Sequence, residues 1–197
     1  MRGVLGGRRT ALLALASLLL VAGRVSPGRP EPRLIILFDI DMVRADHLSL
    51  YGYRLPTTPH IDRVFRDELV VDVCRSPAAW TLPSHASIFS SLPITRHGVR
   101  MPEDRVPENV PVLAAELARR GYRTLAVTGG GLVDARYGFD RGFETYVSSA
   151  DPVSAAVERA FSLIDARRNV PTFLFFHTFQ VHDFRATRRS VEEVYAR

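Results

Sequence analysis

Four short stretches of the chain hold residue types that do chemistry when a fold brings them together. The first is Phe38-Asp39-Ile40-Asp41-Met42, where an apolar run ends in acids. Carboxylates at the end of a buried strand cost free energy unless they are paired or metal-bound. Asp39 and Asp41 are two apart, so on an extended segment they share a face that could grip one hard cation. Helix capping and a salt bridge to Arg44 are the alternative use of the same acids. The second stretch, Ala79-Trp80-Thr81-Leu82-Pro83-Ser84-His85, puts two hydroxyls at a strand-to-helix junction. A hydroxyl at a helix N-terminus sits in positive potential, which stabilises an alkoxide or an oxyanion. The spacing of Thr81 and Ser84 also fits an ordinary capping motif around Pro83. The third stretch ends a strand-like run with His177 and His182, suited to a polar pocket as substrate anchors or acid–base groups, or to plain hydrogen bonding. The fourth, Gly129-Gly130-Gly131, lacks the third glycine of a dinucleotide fingerprint, because Asp134 stands there, so it reads as a turn.

These residues need elements to position them, and the hydropathy pattern supplies an alternation. Leu34 to Phe38 is a continuous apolar run, expected as a buried central strand. A helix is expected from Thr58-Pro59 to Glu68, with Thr58 as N-cap and Pro59 at the first helical position. A strand is expected over Leu69–Val73, and a short helix over Ser84–Ser91. Val112–Arg120 reads as a helix closed by Gly121, and Thr124–Thr128 as a strand. Ser154–Arg168 reads as an amphipathic helix with Ala156, Ala160, Leu163 and Ile164 on one face, and Thr172–Phe176 as a strand. Strands alternating with helices imply an α/β fold with a mainly parallel central sheet covered on both faces. Ligands of such sheets collect at the carboxyl ends of the strands, where Asp39, Asp41 and His177 fall.

Composition narrows the chemistry further. The chain has 197 residues, 46% hydrophobic and 24% charged, within the range of globular domains. All 26 of its basic residues are arginines. Without lysine there is no Schiff-base chemistry, no phosphate loop ending Gly-Lys-Ser/Thr and no lysine general base. A single cysteine, Cys74, excludes an internal disulfide and a thiolate metal cluster. Residues 1–23 read as an export signal: three arginines by Arg9, an apolar run from Ala11 to Ala22, and small residues at Val21-Ala22-Gly23. That run is short of the about 20 residues a spanning helix needs. Membrane attachment is therefore expected only through an uncleaved signal, and the location is periplasmic or extracellular. A proline-rich linker follows over 24–33, and one domain over 34–197. Removing the signal leaves 23 arginines against 21 acids. The formal charge of +5 therefore comes mostly from the signal, and no basic stripe with interleaved aromatics supports nucleic-acid binding.

Read in order, "DMVRADHLSLYGYRLPTTPHIDR", "SPAAWTLPSHASIFSSLPITRHGV", "VPVLAAELARRGYRT", "YGFDRGFETY" and "FLFFHTFQVHD" resemble the N-terminal portion of a sulfatase, within the alkaline phosphatase superfamily. The resemblance runs from about Leu34 to Asp183 in the family's order. It implies the alkaline-phosphatase-like sandwich fold, with the C-terminal half missing from this length. It implies a divalent cation, with calcium, magnesium, manganese and zinc all admissible, and a small-molecule, glycan or lipid sulfate or phosphate ester as substrate. Asp41 matches the first metal-binding aspartate, and Asp39 is a further metal candidate. Thr81-Leu82-Pro83-Ser84-His85 matches the signature Cys/Ser-x-Pro-Ser-Arg, which puts Thr81 in the nucleophile's place and at the metal. His182 matches a histidine that touches the ester's charged oxygens, and His85 is expected at the substrate too.

The chain departs from the pattern in four places. Threonine is not a precursor of formylglycine, and His85 replaces the signature's arginine. Met42 stands where many sulfatases have a second aspartate, and Gly130-Gly131-Leu132 replace a lysine and a histidine. A threonine nucleophile resembles the superfamily branches that act on phosphate and phosphonate esters. Family members are typically more than twice this long, with a second pair of metal ligands in a later block. The expectation is therefore a fragment or truncated form of a hydrolase, inactive as this isolated chain. The alternative is a catalytically inactive exported remnant acting as a binding module.

Overall fold

The computed structural model describes residues 33–167 and 169–182. The expected signal, most of the linker and the segment from Asp183 onward lie outside the described residues. Strands β1 (Leu34–Ile40), β2 (Arg123–Thr128), β3 (Thr145–Ser148) and β4 (Thr172–Thr178) form one parallel sheet in the order β1-β4-β2-β3. Helices α1 (Pro59–Phe65), α2 (Thr81–Ser90), α3 (Ile94–His97), α4 (Leu113–Arg119) and α5 (Val153–Asp165) connect and cover them, with short 3₁₀ turns between. This is the α/β architecture expected from the alternation.

The two central strands explain why a parallel sheet forms. β2 and β4 are buried along their whole length, and their β-branched and aromatic residues pack well on both faces of a pleated surface. On one face Phe173, Phe175 and Ala126 meet Leu82, Ala86 and Phe89 of α2. The Phe89 ring makes edge contacts with Phe139 and Phe175, at centroid distances of 5.6 and 4.8 Å. On the other face Leu125, Val127, Leu174 and Phe176 meet Ala156, Val157, Ala160, Leu163 and Ile164 of α5. The apolar stripe read from the α5 sequence is the face it buries.

Three expectations are corrected. Leu69–Val73 forms no strand: Leu69 is 88% and Val73 70% exposed, and the Val71 carbonyl accepts from the Tyr51 hydroxyl. A strand exists only where a neighbour offers backbone groups, and among the described residues no strand of the sheet runs beside this segment. β1 is not central but the sheet's edge, with Leu34, Ile36 and Phe38 turned to the α5 face and half-exposed. α5 lies over β2 and β4 and leaves β1 bare on that side among the described residues. α2 starts at Thr81 rather than Ser84. Pro83 fits inside its first turn because the amide it lacks would have no intrahelical partner there.

Candidate active site

The carboxyl ends of β1 and β4 lie side by side, with Asp39 opposite His177 and Ile40 opposite Thr178. Ile35, Leu37 and Asp39 alternate onto the α2 face of the sheet, as do Phe173, Phe175 and His177 on β4. Each core row thus ends in a group that carries chemistry. The Asp41 amide extends the ladder by donating to the Thr178 carbonyl at 2.9 Å. The next residue, Met42, turns the chain away at φ 67°, a left-handed conformation uncommon for a side chain other than glycine. Such a backbone persists where its surroundings over-determine it, and here it follows directly on a site carboxylate.

α2 delivers the partners. Its N-cap is Trp80, and no side chain caps it. The Thr81 hydroxyl instead donates to Asp41 Oδ2 at 3.2 Å, across forty residues of sequence. Ser84 is spent on Ser76, with 2.8 Å between their hydroxyl oxygens. The capping use of these hydroxyls is therefore not the one the fold adopts. One turn on, at the i+4 position on the same face, His85 Nδ1–H donates to the Thr81 carbonyl at 2.8 Å. Its Nε2–H donates to Asp39 Oδ2 at 2.7 Å. His177 Nε2 lies 3.9 Å from the same carboxylate oxygen.

The electrostatics of the group follow from burial and pairing. Burial alone would raise the Asp39 carboxyl, but the hydrogen bond and charge of His85, with His177 adding, hold it below the usual carboxylate range. Burial alone would lower His85, which is only 5% exposed. The hydrogen bond and charge of Asp39, the Thr81 carbonyl and the nearby Asp41 overcome that and raise it. Burial dominates at His177 and lowers it, with Asp39 opposing.

A pocket of about 240 Å³ opens beside these residues, lined by Asp41, Thr81, Gly130, Gly131, Leu132, His177, Phe179 and His182. Gly130, at φ 80° and ψ −141°, adopts a conformation reserved for glycine. A Cβ on Gly129 would lie 2.6 Å from the Phe179 ring. The glycine turn thus lets an aromatic wall pack directly on the backbone.

The structure brings three expected residues, Asp41, Thr81 and His182, to one pocket. Two others stand elsewhere. Asp39 does not line that pocket, and its Oδ2 accepts from His85. His85, expected at the substrate, is buried with both ring nitrogens engaged and does not line the pocket. His177, read only as one of two polar histidines, meets Asp39 through the β1–β4 register. Its place at the buried end of a Phe-x-Phe-x-His alternation was the signal; the pairing of first strand with last was not.

A family model described as Sulfatase matches residues 33–197. Among solved structures, the chain resembles a protein in complex with its substrate D-glucosamine-2-N,6-O-disulfate, with a TM-score of 0.64 and 19% identity over 73% of this chain and 33% of that one. It resembles a 2-O GAG sulfatase, with a TM-score of 0.62 and 22% identity over 76% and 35%. It also resembles the phosphonate monoester hydrolase of Agrobacterium radiobacter, with a TM-score of 0.61 and 17% identity over 76% and 40%. The chain thus spans a third to two fifths of the length of these proteins. At these identities the likeness is one of fold. A comparison with curated proteins finds no match.

Proposed function

The chain belongs to the sulfatase family, and on that premise we propose that it carries the nucleophile of a metal-dependent hydrolase of sulfate or phosphate esters, with Thr81 as that nucleophile. The observation that carries the proposal is the hydrogen bond from the Thr81 hydroxyl to Asp41 at a pocket mouth. Nothing in local helix capping calls for that contact.

Asp41 fixes the hydroxyl rotor of Thr81, so the oxygen meets the ester in one orientation. As the Thr81 oxygen attacks phosphorus or sulfur it gives up its proton to Asp41, a threonyl ester forms, and the bond to the leaving alcohol breaks, its oxygen taking a proton. His182, exposed and lining the pocket, supplies it. Water then cleaves the threonyl ester and restores the hydroxyl. The amides of Thr81 and Leu82, in the first turn of α2, lie at the positive end of the helix, which favours the ester's anionic oxygens. The carboxylate of Asp41 and the hydroxyl of Thr81 are donors that hard divalent cations take, and they fit part of such a site. A cation bound there would lower the pKa of the hydroxyl and polarise the ester. Its other ligands would come from water, substrate or other parts of the protein.

Threonine in the nucleophile's place favours phosphate diesters and phosphonates over sulfates. Export is part of the same proposal, resting on residues 1–23, and N-terminal sequencing of the protein from its host checks it. The nucleophile is tested with Thr81→Val and Thr81→Ser in the protein carrying this domain, assayed on aryl sulfate, phosphate diester and phosphonate. The Val variant loses on the order of 10⁵-fold or more in kcat, the scale of a missing nucleophile, while the Ser variant keeps measurable turnover. Undiminished turnover by the Val variant overturns the assignment.

A further inference from the structure

We propose that Asp39, His85 and His177 form a buried binding site for one divalent transition-metal ion, zinc by the chemistry of its donors, beside the Asp41–Thr81 pair and distinct from it. One ligand atom from each of the three residues lies within 4.8 Å of the others. Two imidazole nitrogens and one carboxylate oxygen are a zinc-type donor set, whereas calcium and magnesium take oxygens.

Three further observations support the site. First, His177 is 2% exposed, yet neither ring nitrogen has a hydrogen-bond partner. Buried polar atoms are almost always satisfied, and each exception asks for a reason. The Asp39–His85 pair does not supply one, since His177 stays 3.9 Å from the carboxylate. An ion accepting its lone pair does. Second, His85 is already held as ligating histidines are. Its Nδ1–H is tied to the backbone carbonyl of Thr81, which leaves Nε2, the nitrogen directed at Asp39, as the one that gives up its proton to an incoming ion. Third, the spacing is right for insertion. Ligands about 2.0–2.1 Å from a tetrahedral ion lie about 3.3 Å apart. The contacts to Asp39 Oδ2, 2.7 Å from His85 and 3.9 Å from His177, bracket that value. Modest rotation of the two rings closes the set. Three protein ligands leave a fourth position for water, and His177 is the member that lines the pocket.

The site uses residues on three elements, β1, α2 and β4, so an ion there would also pin the nucleophile-bearing helix to the sheet. His85 stands where the signature described above has an arginine, which could not ligate. The inference rests on this donor set and does not depend on the ester-hydrolase reading.

The test titrates the full chain, stripped with a chelator, with Co²⁺ and follows visible absorption. One equivalent produces the intense d–d bands of a four-coordinate nitrogen–oxygen site, and one equivalent of Zn²⁺ abolishes them. His177→Gln and His85→Gln each weaken Zn²⁺ binding by more than the roughly 10–100-fold that loss of a supporting hydrogen bond costs. Asp41→Asn and Thr81→Val leave it unchanged, which separates this site from the pocket cation and from hydrolysis. Circular dichroism establishes that each variant is folded. Zinc absorption-edge fine structure on the unsubstituted chain counts two imidazoles without any variant. A folded chain that binds no stoichiometric Zn²⁺, a coordination shell of oxygens only, or loss of binding on Asp41→Asn overturns the proposal.

Discussion

The contact between Asp39 and His85 allows a quantitative prediction that needs neither metal nor substrate. Asp39→Asn, His85→Gln and the double variant, compared with the parent by urea unfolding in chelator at pH 5.5, form a thermodynamic cycle. A hydrogen bond between charged partners is worth about 1.5–3 kcal/mol. The Asp39 side chain is 28% exposed and the His85 side chain 7%. Partial hydration of the carboxylate puts the coupling toward the lower end, about 1.5–2 kcal/mol. Each single variant costs more than the coupling alone, about 2–3 kcal/mol, because it strands a buried partner. In a domain of this size that is a fall of roughly 4–12 °C in Tm. The pH dependence has a definite sign. Asp39 is lowered, so its contribution is present above about pH 4 and lost as pH falls through its folded value. His85 is raised, so its contribution is present below about pH 6.5 and lost as pH rises through its folded value. The coupling is therefore greatest between about pH 4 and 6.5 and shrinks in alkaline buffer. A coupling below about 0.5 kcal/mol at pH 5.5, with all variants folded, would show the contact to be incidental.

Phe89→Ala removes the ring that seats α2 against Phe139 and Phe175, and costs about 3–5 kcal/mol by chemical denaturation; a loss under 1 kcal/mol would mean α2 is held otherwise. Gly129→Ala drives a methyl into the Phe179 ring and destabilises by about 1–3 kcal/mol, and adding Phe179→Ala restores most of that. A double variant no more stable than the single one contradicts the packing. Asp134 accepts from the Arg136 amide at 3.1 Å and the Ser148 hydroxyl at 2.7 Å, which lowers its pKa. Its contribution to stability is present above the usual carboxylate range and fades as the solution is acidified, so Asp134→Ala destabilises at neutral pH, changes little in acid and thereby flattens the acid limb of the stability profile.

The sequence was legible wherever function is carried by local pattern. The amphipathic stripe of α5, the Pro59 start of α1 and the β2 strand are set by neighbours in sequence, and the structure has them where periodicity put them. Asp41 and Thr81 were legible as candidates because strand ends and helix starts are recognisable. What failed was whatever depends on which strand neighbours which. The apolar run of β1 reads as doubly buried, yet its place at the edge leaves Ile36 and Phe38 half-exposed. Leu69–Val73 has strand composition but no strand beside it among the described residues. Asp39 and Asp41 share a strand face by parity. Yet His85, descending from a helix forty residues later, claims one of them and leaves the other to Thr81.

The pairing of β1 with β4 also governs when the site can exist. The first and last described strands are hydrogen-bonded neighbours, so Asp39 and His177 meet across roughly 140 residues of intervening chain. Closing so long a loop costs entropy that no local contact repays in advance. β2 and β3, by contrast, lie close in sequence and can pair early. Until β4 leaves the ribosome, β1 has no partner, and its alternating isoleucines and phenylalanine stay open to chaperones or to mispairing. The Asp39–His85–His177 group is in this sense a completion signal. It cannot form on a nascent chain that stops short of β4, and its appearance marks the moment at which the sheet has closed.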